Sequence, residues 1–441
     1  MADVTPIRTA AETALAELFP AVKGRLPGDA TIAGQRAEAF KSFVDAGLPH
    51  RRIEAYKYTD LRALLRDVPP LATEPSADAV EAARQWADPF AGVDALRFTI
   101  VDGHVVAGLS DFKLLPDGVE AWPLAAALSA GPVASGLMGR VAPAKSDPVL
   151  ALNAALMTDG LVVRVRKDVA LDRPILVRFL AASGAPSLIV TRILLVVEDG
   201  ARATLIESHE GAGVAHHANT AVEISCGDDA IVHHLRANAS GQAGVDLSTL
   251  GVDVGGRCAF TSVAMVTAPS LSRHQIFVRC TGEHSTVTLG GGALLKNRQH
   301  ADTTLVVDHA VPDCVSRELY KTVLDDEATG VFQGKIIVQQ PAQKTDGKMM
   351  SQAVLLADGP TMNNKPELEI FADDVQCAHG ATCGALDDDL LFYLRARGLP
   401  KPEAEALMLR AFVGEALELV DDEAARERLD GMVAAWLAAR A

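Results

Sequence analysis

The sequence predicts a mainly β protein: a parallel β-helix core flanked by N-terminal and C-terminal α-helical domains. Three observations predict it. Gly200, Gly227, Gly255 and Gly282 recur 27, 28 and 27 residues apart within strand-like sequence. Three positions after each stands a small residue (Ala203, Ala230, Cys258, Ser285), and five after each an apolar one (Leu205, Val232, Phe260, Val287). Aromatics make up only 5% of a chain rich in Ala, Val and Leu, which suits thin repeated layers better than a few large anchors. Such a period, with no helical pattern inside it, is what stacked coils give when each buries its inward residues against the next. A β-sandwich or cupin-like barrel is the competing architecture.

Taken in order, residues 1 to 65 read as helical. Thr5 with Pro6 is a candidate cap and first helical position, and "TALAELF" and "AEAFKSFVDAGL" carry apolar residues at three and four spacing. From 66 to 130 the texture is mixed, with "ALRFTIVDGHVV" as its one clear strand and turn. Short Val/Ile/Leu strands such as "GLVVRVRKDVAL" and "PSLIVTRILLVVEDG" begin near 150. The glycine period stops after Gly282, so an insertion or changed path is expected near "GGGALLKNRQHAD". Past Gly384 the pattern is helical again, with stripes Leu407, Met408, Ala411, Phe412 and Leu429, Met432, Val433, Trp436, whose simplest use is packing on the β core. The expected domains are 1–130, helical and mixed; 131–383, the β-helix; and 384–441, helical.

Several function classes are excluded. A net charge of −16 without a dense basic face argues against nucleic acid or anionic membrane as partner. Charged residues interrupt every apolar run well short of about 18 residues, and the N-terminus has no signal-peptide pattern, so a soluble cytoplasmic protein is expected. Six cysteines with no C-x-x-C pair suit free thiols in a reducing compartment. There is no Walker loop, because "GGGALLK" has the wrong spacing, and neither G-x-S-x-G nor H-E-x-x-H occurs. The chain is not expected to hydrolyse nucleotides unaided.

Two features carry metal-ligating chemistry. The doublets His216–His217 and His233–His234 offer one imidazole per strand face, because neighbouring side chains point oppositely, and read as wall and surface histidines. "DVQCAHGATCG", residues 374–384, is denser. If 370–379 is one strand, Asp373, Cys377 and His379 share a face, Asp374 faces away, and Cys383 lies past the strand end. Cys and His suit zinc, iron or sulfur-bearing clusters, but the spacing is too tight for a zinc knuckle and the set is incomplete in one chain. A site completed by a partner and a merely structural strand end both remain open at this point.

"PELEIFADDVQCAHGATCG" followed by "LDDDLLFYLRARGL" resembles the C-terminal signature of the SufB/SufD family of the SUF iron–sulfur cluster assembly system. "HRRIEAYKYTDLRALL" near residue 50, "LNAALMTDGLVVRV" and "FQGKIIVQQPAQKTDGKMMSQAVLL" are similar too, so the resemblance spans most of the chain. Gly380 after His379, where SufB carries Glu, makes it SufD-like. The resemblance implies a right-handed parallel β-helix in a complex with SufB and the ATPase SufC, non-catalytic in itself. It implies that His379 and Cys377, with Asp373 as a third candidate, meet a transient cluster that SufB completes, and that SufC docks on the C-terminal helices. Reduced flavin is a candidate cofactor of the complex, no tightly bound cofactor is expected in the isolated chain, and an isolated homodimer is a further expectation. A stand-alone cupin-like or β-helix metalloenzyme is the rival reading, and a purely structural β-helix that binds through its terminal helices is a third.

Overall fold

A computed structural model describes residues 8–130, 138–139, 141, 147–211 and 213–440. Thr5, Pro6 and the expected domain boundary at 131 lie outside the described residues. The first described helix, Ala10–Val22, is instead capped by Thr9, whose hydroxyl accepts from Glu12 N while the Glu12 carboxylate reaches back to Thr9 N.

The core is a β-solenoid of about eight turns. The chain alternates between a ten-stranded and a nine-stranded sheet, so each coil contributes one strand to each. All strand pairs are parallel except at the N-terminal end, where His104–Val105 pairs with Leu96–Val101 and Val119–Pro123 with Asp159–Val165 in antiparallel fashion. These strands precede residue 131, so the sheets begin before the expected boundary. Val, Ile, Leu, Phe and Cys side chains from both sheets fill the interior. No barrel closes, which removes the cupin-like and sandwich alternatives.

The periodic glycines have a steric cause. A Cβ on Gly282 would lie 2.0 Å from the Gly256 nitrogen, and one on Gly255 2.7 Å from the carbonyl carbon of Gly227, so successive turns stack backbone on backbone. The left-handed residue of each turn follows the glycine by two: Asp229 (φ 58°), Arg257 (φ 52°) and His284 (φ 59°). Gly200 is itself left-handed, at φ 67°. It therefore belongs two positions out of phase with the others, and register pairs Val232 with Ala203 rather than with Leu205. Val232, Phe260 and Val287 do stack as expected.

No insertion interrupts the stack near residue 290. Ala259, Thr286, Val315, Asp346 and Gln376 lie in register, giving coils of 27, 29, 31 and 30 residues. The regular glycine simply disappears, the left-handed positions passing to Asp313 and Lys344. The "GGG" of Gly290–Gly292 is a docking surface: a Cβ on Gly290 would meet Leu419, and one on Gly292 would meet Val413, so the C-terminal helices lie close on this sheet. Their buried stripe is Ala404, Met408, Leu409, Val413, Ala416 and Leu417 in Lys401–Leu417. Leu407 and Ala411 are exposed, which corrects the first expected stripe, whereas Leu429, Val433 and Trp436 are buried as expected.

The N-terminal helical region is fastened to the nine-stranded sheet by the "EAYKYTD" segment. Tyr56 is buried under the Arg273 guanidinium, 3.8 Å from ring centroid to Cζ, and its hydroxyl donates to Asp147 at 2.7 Å. Thr59 donates to Asp302, the buried ion-pair partner of Arg273, and its hydroxyl lies 2.9 Å from His300 Nε2. Thr59, Gln275 and the Ala55 carbonyl supply hydrogen bonds to that buried pair and the Tyr56 ring covers the guanidinium, which offsets part of the cost of burying it.

Gly282→Ala tests the backbone-contact account. It should destabilise the chain by about 2 kcal/mol or more in denaturant unfolding, because the neighbouring atoms are main chain and cannot rotate away. A neutral effect would refute the account.

Candidate functional site

The final strand, Gln376–Gly384, adds to the ten-stranded sheet along Asp346–Leu355, pairing Cys377 with Gly347, His379 with Met349 and Cys383 with Ala353. The preceding strand, Thr361–Ile370, forms the edge of the other sheet. Two interior columns therefore end here: Ser316, Gly347, Cys377 and Glu318, Met349, His379. Ser316, Glu318 and Met349 are buried by the coils beyond them. Among the described residues no coil follows Cys377 and His379, so Cys377 is half-buried and His379 exposed. What reads in the sequence as donors on one strand face is, in three dimensions, the uncovered cross-section of the solenoid interior.

Asp373 does not join them by strand periodicity. The strand ends at Ile370, and Asp373 and Asp374 form the exposed bend that precedes Gln376. There the Asp374 carboxylate pairs with Lys344 of the previous coil and its backbone N–H donates to Gln343 Oε1 at 3.0 Å. The run of polar residues favours a turn over continued pairing. Cys383, by contrast, lies within the strand and on the same face as Cys377 and His379. Six residues of strand separate it from Cys377, roughly 20 Å, too far to share one metal centre.

The electrostatics of the open end come from residues that pattern reading did not single out. A groove of about 420 Å³ borders His379, lined also by Arg317, Glu318, Lys348, Met350 and Leu419. Burial pushes the Glu318 carboxyl up to about 8, against the pull of Ser316 and Arg317. It is therefore largely protonated at neutral pH and able to donate or release a proton one coil behind Met349. Burial also raises the Cys377 thiol, helped by Asp346 and Glu318 and opposed by a backbone hydrogen bond from Gly347. Cys377 is held as a thiol in the isolated chain, so metal coordination there must displace a proton. Only a lone buried glutamate at an inward strand position could have flagged Glu318 in the sequence.

The histidine doublets behave as periodicity predicts. His216 and His234 are buried and His217 and His233 less so, with His234 held 2.7 Å from Glu207 and 2.9 Å from Ser262.

Glu318→Gln gives a pH test. The folded carboxyl is pushed up to about 8 from the ordinary 4.5 of the unfolded chain, so the unfolded chain binds fewer protons between these values and native stability falls as pH rises through that window. The glutamine variant lacks this loss. Its unfolding free energy relative to the parent, measured by denaturant unfolding at each pH, should rise from pH 5 to pH 8 by an amount on the order of 1–3 kcal/mol. A pH-independent difference would place the Glu318 titration elsewhere.

Comparison with known proteins agrees with this architecture. Residues 179–412 match the family described as SUF system FeS cluster assembly, SufBD core domain, and residues 10–177 match the SufBD protein N-terminal region. The chain is 30% identical over 407 residues to an iron–sulfur cluster assembly SufBD family protein of Synechocystis, covering 89% of this chain and 88% of that one. It is 28% identical over 400 residues to iron–sulfur cluster assembly protein SufD of Escherichia coli K12, covering 90% of each. A chloroplastic Arabidopsis protein, ABCI7, is 24% identical over 414 residues, 89% of this chain and 83% of that one. The chain belongs to the SufBD family of SUF-system iron–sulfur cluster assembly proteins, as a homologue of SufD.

Proposed function

We propose that this chain is a non-catalytic scaffold subunit that joins SufB through the open end of its solenoid and helps hold a nascent iron–sulfur cluster at that interface. The observation that carries the proposal is the exposure of Cys377 and His379 on an uncovered interior cross-section, flanked by two unpaired strand edges. Unpaired edges recruit another strand system, and a second solenoid end placed here would bury Ile370 and Phe371, which are 42% and 60% exposed. Such a partner would also complete the ligand shell that one chain leaves short. His379 supplies an imidazole able to bind iron or move a proton near neutral pH, and Cys377 supplies a thiolate once its proton leaves. Asp373, in the adjoining bend, is the weaker third donor.

The helix Asp388–Ala396 supports a second contact. None of its residues is buried, yet Leu390, Phe392 and Tyr393 are 47%, 74% and 52% exposed. A short helix presenting three large apolar side chains is a protein-binding surface, and the proposal assigns it to SufC. That partner would supply the nucleotide hydrolysis for which this sequence carries no phosphate loop. On this reading reduced flavin, if it takes part, belongs to the complex.

Two experiments test the proposal. In the complex co-expressed with SufB and SufC, His379→Ala should lower iron and sulfide per complex several-fold while the subunits still co-purify; full cluster content in an intact complex would reject the site. Phe392→Asp should abolish capture of SufC without changing the melting temperature of the isolated chain. Undiminished capture would move the SufC contact elsewhere.

A further inference from the structure

One turn of the solenoid holds a second group of soft donors, well inside the molecule. Cys280 and His309 are the last residues of adjacent parallel strands and lie in register, and Cys314 immediately precedes Val315–Leu324. Both sulfurs and one imidazole nitrogen lie within 4.8 Å of one another. All three residues are 0% exposed, beside a core made mostly of Val, Leu, Ile, Phe and Ala. This is the one such three-donor group among the described residues.

Ordinary core packing does not account for it. A buried cysteine alone behaves as a small hydrophobe, but an imidazole does not. His309 Nε2 faces Ser316 Oγ at 3.1 Å, while Nδ1 has no hydrogen-bond partner despite complete burial. An unpaired polar atom in such a place is destabilising unless something binds it. The neighbourhood supplies oxygen as well: Ser285 Oγ is 3.2 Å from Cys314 Sγ, and Cys314 Sγ is 3.4 Å and 3.5 Å from the carbonyl oxygens of Pro312 and Gly282.

We propose that Cys280, His309 and Cys314 form a closed structural site for zinc, with an oxygen from Ser285 or the adjoining backbone in the fourth position. Two sulfurs and a nitrogen suit a borderline-soft cation, and zinc–sulfur bonds of about 2.3 Å would need the donors to draw in by only about an ångström. Charge selects a divalent ion. Each thiol gives its proton to solvent on binding, so two thiolates, a neutral imidazole and Zn²⁺ sum to zero, the only balance an apolar interior holds cheaply; monovalent copper would leave a buried negative charge. With every donor buried, the cation enters as the coils fold or through local opening, and it pins the two sheets together at the turn that precedes the strand bearing Glu318.

The test uses the full chain and cobalt as a spectroscopic probe. Refolding with Co²⁺ should give thiolate-to-cobalt charge-transfer absorption and about one cobalt per chain, displaced by zinc. The double variant Cys280→Ala, Cys314→Ala should lose the band and at least about nine-tenths of the bound metal, while Cys226→Ala, Cys258→Ala and His379→Ala keep both. If the double variant does not fold, His309→Phe, which keeps both thiols and the volume, should still weaken cobalt binding by roughly 10- to 100-fold. Wild-type chain that refolds without a charge-transfer band, metal retained by the double variant, or a Cys280–Cys314 disulfide in freshly isolated protein would each overturn the assignment. Because His379→Ala leaves this metal in place, failure here is distinguishable from failure of the scaffold reading.

Discussion

A solenoid buries each coil only by adding the next, and that constraint shapes everything distinctive about this chain. The two ends resolve it differently. At the N-terminal end the parallel stack stops on two antiparallel strands, His104–Val105 and Val119–Pro123, with helices packed beside them. At the other end, among the described residues, the last strands of both sheets are left unpaired on one side, and the interior columns run out. A protein that needed only to be stable would cover that cross-section. This one leaves sulfur and imidazole donors on it.

Placement there has chemical consequences that a surface loop would not share. The strand carrying Cys377 and His379 is hydrogen-bonded along its whole length to Asp346–Leu355, so the two side chains are positioned by the same ladder that stacks the core. Behind them, the dielectric is that of the interior. Glu318 keeps its proton for that reason, and Cys377 is biased the same way. In front of them is solvent, or a partner. An edge that passes from dry to wet over two coils favours thiol and carboxyl protonated, so a cation or subunit bound at the open end as proposed would have to displace those protons.

How much of this was legible in the sequence follows from which forces are local. The glycine period marked the stacking because turn-on-turn contact forbids a Cβ at Gly255 and Gly282, and that prohibition is written residue by residue. It misled where the same letter serves another purpose: Gly200 meets a left-handed backbone, and Gly290–Gly292 make room for Val413 and Leu419, so phase and period were lost at both ends of the run. Cys377 and His379 share a strand face as expected because strand parity is local. Asp373 was assigned to their face by extending that parity through a bend. Glu318 and the Cys280–His309–Cys314 group were out of reach, since their environment is made by residues about 30 positions away whose register only the folded coils define.

Burial separates the two most recognisable motifs by purpose. "HRRIEAYKYTDL" and "DVQCAHGATCG" both carry the family resemblance and both are dense in chemically capable side chains. In the fold, Tyr56 and Thr59 are sealed against Arg273 and Asp302, with both side-chain hydroxyls hydrogen-bonded within the chain. Their work is finished when the N-terminal helices dock. His379 lies exposed in a groove with Arg317 and Lys348 beside it, and its ligating capacity is unspent. A polar group satisfied internally specifies a fold; one held rigid and left open to solvent is available to a second molecule. On that physical distinction the second motif, and not the first, carries the scaffold proposal.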